Sequence, residues 1–445
     1  MMPGNTQPTR PLHGVLHVIH GHGGGTEHHA RALIDASRNR YRHHLAIAIG
    51  DRWRIEAHQE DGSVRTFDFV RGAAESWTAF IGGLCASFGI DVIHLHNITG
   101  SRDGIVEALA ALDIPYGYTI HDFNFACPTI LFLGVDGMYC GAQTDPSFCA
   151  HCLAAQPPFA EIDIVAWRTR HRALLASAAF LLAPSRYTGE TLAKYYPERP
   201  FDVVPHGAPG AWAMRPEGTD DDDARTSAPA HSMTLALPAD DIPTIAVLGA
   251  VGPDKGARRL ERLADLVRAT GARVRFVLIG YMDVQHGPWQ SDDAVLTVHG
   301  RYDPRALRSL FAHYRVSLVA YPSAGPETFS FTLSEAWAAK RPVFVPPFGA
   351  LAERLAGTGA GWVWTDDEWR DEAKMLRRMV AVLAPENAST LAAASECAGR
   401  IPQATLADMA RRTLAHYDAA IASHARSAAV LPLERARVRD AEQHA

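Results

Sequence analysis

Short apolar runs of strand length alternate with amphipathic helical stretches in two separate parts of this chain, and that rhythm leaves few architectures open. It is the pattern of parallel sheets covered by helices on both faces. The first part predicts strands at Val15–Ile19, His44–Ile49, Asp91–His96, Tyr116–Ile120, Phe180–Ala183 and Val203–Pro205. Helices are expected there at Glu27–Ser37, Glu75–Phe88, Ile105–Leu112, Ile164–Ser177 and Tyr187–Tyr196. The second part predicts strands at Ile245–Leu248, Arg275–Ile279, Ala294–Val298, Val316–Ala320 and Val343–Val345, with helices at Ala257–Ala269 and Pro304–Ala312. Residues 208–241, rich in Pro, Ala, Ser and Asp, read as a connector. The expected organisation is therefore a first domain over 1–207, a linker, a second domain over 242–403, and a C-terminal segment, 404–445. That segment holds an amphipathic helix at Thr405–Ile421 and a charged, frayed tail.

Bulk composition narrows the function classes. At 445 residues the chain is too long for one ordinary core. A net charge of -6 offers no electrostatic footprint for nucleic acid. The start, MMPGNTQPTRPLHG, lacks an apolar signal core, and no run of apolar residues is long enough to span a bilayer. Six cysteines without such a signal fit a reducing, cytoplasmic setting. Two basic groups, Arg38, Arg40, Arg42 and Arg168, Arg170, Arg172, suit either exposed helix faces or peripheral contact with anionic lipid.

Two doubly wound domains facing each other place ligands in the cleft between them, at the carboxyl ends of the strands. The candidate residues fall just after strands. PETFSFTLSEAWAAKRP, residues 326–342, follows the strand Val316–Ala320 and carries Glu327 and Glu335. If the helix begins near Glu327, their spacing puts both carboxylates within about 80° of one face. The backbone amides of Phe329 and Ser330 then lie at a helix N-terminus, a site for phosphate. After the first strand, Gly21-His22-Gly23-Gly24-Gly25 allows tight backbone, with Thr26 as the expected N-cap. Histidines at 20, 22, 28 and 29 crowd this turn, but adjacent positions on a helix diverge and do not share one metal ion. His121 closes a strand, where it can hydrogen-bond a sugar hydroxyl or a developing charge. Gly249 opens the turn that carries Lys255, a point charge for a diphosphate. Ser185-Arg186, His206-Gly207, Gly280-Tyr281 and Gly300-Arg301 sit at comparable strand ends. Asp220–Asp223 lies in the connector and reads as a solvated run.

Cys127, Cys140, Cys149 and Cys152 form a local group. Their spacing suits a structural zinc site, unbound thiols or disulfide pairs, and the residues alone do not choose among these.

Together these segments resemble the retaining glycosyltransferase family 4, of the GT-B fold. The matching pieces are GGGTEHHARAL (23–33), YTIHDFNFACP (118–128), APSRYTGETL (183–192), VVPHG (203–207), LGAVGPDKG (248–256), FVLIG (276–280) and PETFSFTLSEAWAAKRPVFVPPFGALAERL (326–355). The resemblance implies two Rossmann-like domains around a central cleft, and transfer of a hexosyl or deoxyhexosyl group from a nucleoside diphosphate sugar. The acceptor would be a saccharide or a lipid-linked saccharide, in surface-polysaccharide assembly, without a catalytic metal. It implies that Gly24 and Gly25 line the acceptor and phosphate side, that His121 faces the anomeric centre, and that Lys255 neutralises the leaving diphosphate beside Gly249. Glu327 would hold donor-sugar hydroxyls, Glu335 the ribose, and the amides of Phe329 and Ser330 the phosphate. The cysteine-bearing insert, 127–152, recurs in a subset of the family and is implied to be a structural staple. Two positions depart from the family pattern: Ala250 stands where an arginine is usual, and His206 where asparagine is common. Arg301 or Arg186 would supply the missing cation. A GT-B epimerase or phosphorylase, or a non-catalytic nucleotide-sugar-binding scaffold, would share the same architecture.

Overall fold

The computed structural model describes residues 12–98, 104–208 and 235–442, with side chains to residue 427. The run Asp220–Asp223 and most of the connector lie outside these.

The first sheet is built from β1 (Gly14–His20), β2 (Arg42–Ile49), β3 (Arg52–His58), β4 (Val64–Val70), β5 (Ile90–Leu95), β6 (Tyr116–Thr119), β7 (Phe180–Ala183) and β8 (Asp202–Val203). Its order is β4-β3-β2-β1-β5-β6-β7-β8. The strands from β2 through β1 to β8 run parallel. The expectation of a purely parallel sheet needs correcting at one edge, where β2, β3 and β4 form an antiparallel meander. Sequence reading left 52–70 unassigned because β4 is an exposed edge strand whose polar alternation is not an apolar run.

Helices α1 (Gly25–Ser37), α2 (Trp77–Phe88), α3 (Ile105–Ala111), α4 (Pro146–Ala154), α5 (Ile164–Ser177) and α6 (Arg186–Ala193) accompany this sheet. α2, α3 and α5 pack through a core of Trp77, Phe80, Leu84, Leu109, Leu174 and Leu175. The cysteine-bearing insert between β6 and α5 includes α4, and it braces the two lobes. The Tyr139 N–H donates to the Ala324 carbonyl at 2.9 Å, and its ring meets Phe348 at 4.5 Å.

The second sheet comprises β9 (Thr244–Val251), β10 (Arg275–Met282), β11 (Trp289–Gln290), β12 (Leu296–Val298), β13 (Val316–Ala320), β14 (Val343–Val345) and β15 (Gly361–Val363). Its order is β11-β12-β10-β9-β13-β14-β15, parallel except for the short β11. Helices α7 (Ala257–Thr270), α8 (Leu307–His313), α9 (Phe331–Ala338) and α10 (Gly349–Leu355) follow β9, β12, β13 and β14 in turn. α11 (Asp366–Trp369), α12 (Glu372–Leu383) and α13 (Ala388–Ala398) complete the lobe. α7 shows how the sequence dictates the packing: Leu260, Leu263, Ala264 and Val267 recur at helical spacing and are all buried.

The final helix, α14 (Leu406–Glu442), departs from expectation in two ways. It runs well past Ser423, where a frayed tail was expected. It also returns to the first lobe: Met409, Leu414 and Tyr417 share a core with Val15, Leu33, Val92, Phe180 and Leu182. Tyr41 donates its hydroxyl hydrogen to Asp418, fixing α14 against the end of α1.

Candidate active site

The site forms where the carboxyl ends of both sheets meet. On the first-lobe side, the turn after β1 carries Gly23 at φ 72° and Gly24 at φ 80°, values that favour glycine. Gly24, and not Thr26, is the N-cap of α1. A side chain at Gly24 would meet open space, whereas one at Gly25 would stand 3.6 Å from Phe331 of the second lobe. The glycine turn therefore faces the cleft.

Across from it, α9 begins at Phe331, four residues later than the helix start that would have set Glu327 and Glu335 on one helical face. That expectation is corrected. Glu327 lies in the loop before the helix, and Glu335 lies within it. The reason is visible at Ser330, whose φ of 69° breaks the helical path. Such a conformation costs about 1–3 kcal/mol and persists only where neighbours impose it. Arg354 imposes it here. Its guanidinium donates to the carbonyls of Phe329 (3.0 Å) and Ser330 (2.8 Å) and to Ser334 Oγ (2.7 Å), and covers the Phe329 ring at 4.2 Å. Burial pulls this guanidinium down to about 10. With both carbonyls drawn to Arg354, the loop opens into the first turn of α9, whose N–H groups have no carbonyl one turn earlier. Sequence reasoning missed Arg354's role, although its segment carried the resemblance.

Lys255 and Glu327 meet: Nζ lies 3.5 Å from Oε1, with the lysine half-exposed and the glutamate largely covered. Glu327 is the main influence holding the ammonium group's pKa up. Gly249, at φ 94°, packs 3.2 Å (from a built Cβ) against the Thr332 methyl in the first turn of α9. Glu335 is buried and accepts a 2.5 Å hydrogen bond from the Tyr302 hydroxyl. Burial pushes its carboxyl up to about 7, and the Tyr302 bond offsets part of this. Arg301 is exposed and lies over the Tyr281 ring at 4.6 Å. Tyr281 is the register partner of Ala250 on the neighbouring strand. Arg301 thus flanks the strand end where Ala250 offers no charge. Arg186 does not: its side chain is exposed and pairs with Glu190, while its backbone N–H holds Glu353.

His121 stands at the junction. Its carbonyl accepts from Thr328 Oγ1 at 2.9 Å, tying it to the loop beside Glu327. Burial, then His29 and His94, drives its imidazole well below the ordinary range, so it is neutral at pH 7. Behind it lies a column of buried histidines that sequence reading did not assemble: His17, His29, His43, His94, His96 and His206. A signal was available. His94 and His96 alternate on one face of a predicted strand, and neighbouring strands carry His17 and His43.

The four insert cysteines are free thiols, which removes the disulfide alternative. Cys149 Sγ accepts from the Arg168 guanidinium (3.2 Å), and Cys152 Sγ from the Gln156 amide (3.3 Å). Cys127 Sγ lies 3.2 Å from Thr129 Oγ1. Among the described residues, the donor sets gathered closely enough for a metal ion are both made of histidines, and the cysteines are in neither. No described helix is long and apolar enough to cross a membrane.

Two facing α/β lobes with the ligand-type residues at their strand ends define the GT-B fold. Residues 24–207 match the family described as the glycosyl transferase 4-like domain. No curated protein matches the chain by sequence. Among solved structures, it is similar to sucrose-phosphate synthase from Thermosynechococcus elongatus, at 15% identity and a TM-score of 0.60, over 92% of this chain and 100% of that one. It is also similar to HepE of Anabaena in complex with UDP-glucose, at 15% identity and a TM-score of 0.56, over 93% of this chain and 99% of that one. A glycosyltransferase from Rickettsia africae matches at 12% identity, with a TM-score of 0.56, over 93% of this chain and 99% of that one.

Proposed function

We propose that the protein is a retaining glycosyltransferase that moves a hexosyl or deoxyhexosyl group from a nucleoside diphosphate sugar to a saccharide or lipid-linked saccharide. The observation that carries this reading is the pairing of Lys255 with Glu327, 3.5 Å apart, beside a helix N-terminus and opposite an open glycine turn. A cation and oriented amides suit a departing diphosphate, and a carboxylate suits sugar hydroxyls. HepE, whose structure holds UDP-glucose, supports a uridine or similar nucleotide as the donor base.

In this reading the diphosphate lies between Lys255 and the amides of Phe329 and Ser330, with Arg301 near the position of Ala250. Glu327 holds the sugar, Glu335 the ribose, and the neutral His121 hydrogen-bonds the donor near its anomeric carbon. The acceptor hydroxyl approaches from the Gly24–Gly25 side. The leaving phosphate oxygen takes its proton, so the new bond forms on the face from which the old one departs. The setting proposed is the cytoplasmic side of surface-polysaccharide assembly, with anionic lipid met by the exposed Arg40, Arg42 and Arg172, since Arg38, Arg168 and Arg170 are half-buried and paired within the protein. A panel of UDP-, GDP- and dTDP-sugars offered with simple saccharide acceptors tests the proposal. Transfer with retained anomeric configuration is expected from at least one donor. Inversion in place or release to phosphate would instead indicate an epimerase or a phosphorylase. Failure to bind any nucleotide would end the reading.

Glu335 adds a pH dependence. Its raised pKa, about 7, means that it is largely protonated at pH 6 and ionised at pH 8. Accepting two ribose hydroxyls requires the ionised form, so nucleotide affinity should fall by up to about tenfold per pH unit below 7 and level off above it. Tyr302 and Tyr321 are the titratable groups facing it, and both stay neutral across this window. Calorimetric titration of UDP from pH 5.5 to 8.5 reads the slope. Glu335→Gln should bind more weakly and with a shallower slope, the remainder coming from the UDP terminal phosphate, which itself protonates at about pH 6. An equal slope in both proteins would remove Glu335 from the ribose site.

A further inference from the structure

The histidine column resolves into a directional chain whose protons can all be placed. Ser37 Oγ lies 2.5 Å from the Leu33 carbonyl, which can only accept, so the serine donates its proton there. Ser37 Oγ must then accept from His43 Nε2, 3.0 Å away. With its proton on Nε2, a neutral His43 leaves Nδ1 bare, and His17 Nε2 donates to it at 3.0 Å. His17 Nδ1 is bare in turn and accepts from His96 Nε2 at 3.0 Å. The chain therefore delivers His96 with a lone pair on Nδ1, aimed toward the cleft. Facing it at 3.4 Å is His121 Nε2. That is long for an N–H···N hydrogen bond. It matches the separation of about 3.3–3.4 Å between two imidazole nitrogens on one tetrahedral ion with bonds near 2.05 Å.

A third imidazole completes the set. His29 is 2% exposed, and neither of its ring nitrogens has a hydrogen-bond partner. Leaving a buried polar group unsatisfied costs about 1–3 kcal/mol, and a metal ion removes that cost. One ligand nitrogen each from His29, His96 and His121 all lie within 4.8 Å of one another. Closing such a triangle to tetrahedral spacing moves each nitrogen by about 0.8 Å at most. His206, whose Nδ1 is likewise unpartnered, lies with its ring tilted 41° against that of His29, centroids 4.0 Å apart. The other candidate set, His17, His94 and His96, has its nitrogens already engaged: His94 bonds Tyr417 at 2.5 Å and Thr119 at 2.7 Å.

We propose that His29, His96 and, through Nε2, His121 bind one divalent transition-metal ion of zinc type, with His206 beside them as a fourth neighbour and His121 Nδ1 left for the donor contact proposed above. His17, His43 and Ser37 form the outer shell that fixes the His96 tautomer, an arrangement common to imidazole ligands. All-nitrogen ligation suits zinc, cobalt or nickel better than magnesium or calcium.

The test uses the untagged full chain, stripped with chelator and titrated with Co²⁺ and Zn²⁺. One equivalent of Co²⁺ should give a tetrahedral visible spectrum without sulfur-to-cobalt charge transfer, and Zn²⁺ should displace it. Affinity should fall at least tenfold in His29→Ala and in His121→Ala, the latter partly exposed and less prone to misfolding, and stay unchanged in His22→Ala and Cys152→Ser. Zn²⁺ should also raise the melting temperature of wild type and not of His121→Ala. Absence of binding, equal affinity in both histidine variants and wild type, or a sulfur signal that vanishes in Cys152→Ser would each overturn the proposal. The last outcome would move the metal to the insert cysteines.

Discussion

Lys255→Ala should lower turnover by about 10²-fold, the scale seen when one preorganised charge stabiliser is removed from a leaving group. The effect is expected to be large because Ala250 leaves Lys255 with little company. The strand end beside it carries no charge, and Arg301 reaches the region only from the neighbouring Tyr281 ring. Loss of the ammonium group also strips Glu327 of its partner, so the donor meets an uncompensated carboxylate close to its phosphates. Affinity for the free nucleoside diphosphate should fall in parallel with turnover. Lys255→Arg should recover part of both, since a guanidinium keeps the charge but not the compact reach of the ammonium. Steady-state kinetics with the active donor, together with calorimetry of the diphosphate, checks this. Unchanged turnover in Lys255→Ala would remove it from the reaction.

Most of the fold was legible because buried parallel strands are continuous apolar runs. Phe180–Ala183, Val316–Ala320 and Val343–Val345 fall where their sequences put them. The edge hairpin was not legible, because β4 alternates exposed and half-buried residues and its pairing depends on β3 rather than on its own apolarity. The path of α14 was hidden for a different reason. Its periodicity announces a helix with one apolar face, yet nothing local says that the face covers β5 and β7 of the first lobe instead of the sheet it follows.

For the site, position after a strand picked out Lys255, Glu327, His121 and Gly24; of these Lys255 and Glu327 meet at 3.5 Å, the His121 carbonyl is tied to Thr328, and Gly24 faces open space. The two acidic residues of 326–342 were grouped for a reason that fails. A helix starting at Glu327 would need ordinary helical backbone through Ser330, and Arg354, twenty-four residues further on, draws the carbonyls of this loop out of that path. Long-range restraint of this kind leaves no local trace. The histidine column is also a tertiary product: β1, β2, the end of β5, α1 and the turns after β6 and β8 each contribute one or two rings, and only strand register and packing across the sheet bring them together.

Glu327→Ala should cost about 10–10²-fold in kcat/KM, the equivalent of one charge-assisted hydrogen bond or a little more to sugar hydroxyls, at about 1.5–3 kcal/mol each. The distinguishing result lies in the product. Nucleoside diphosphate has no sugar for Glu327 to hold, and in this variant Lys255 no longer shares its charge with the carboxylate 3.5 Å away. Diphosphate affinity should therefore hold or rise in Glu327→Ala while it falls in Lys255→Ala, although both variants lose turnover. The lysine's pKa should also drop toward its ordinary value, because Glu327 is the main influence raising it. Glu327→Gln separates charge from hydrogen bonding: it should free Lys255 as the alanine does, yet keep part of the sugar contact and so lose less kcat/KM. Had Glu327 served only to position the loop through its backbone, where its carbonyl accepts from Ala350 at 2.9 Å, neither side-chain change would split product affinity from transfer. Parallel loss of diphosphate binding in Glu327→Ala and Lys255→Ala would thus mark the pair as a structural ion pair and remove the sugar from Glu327.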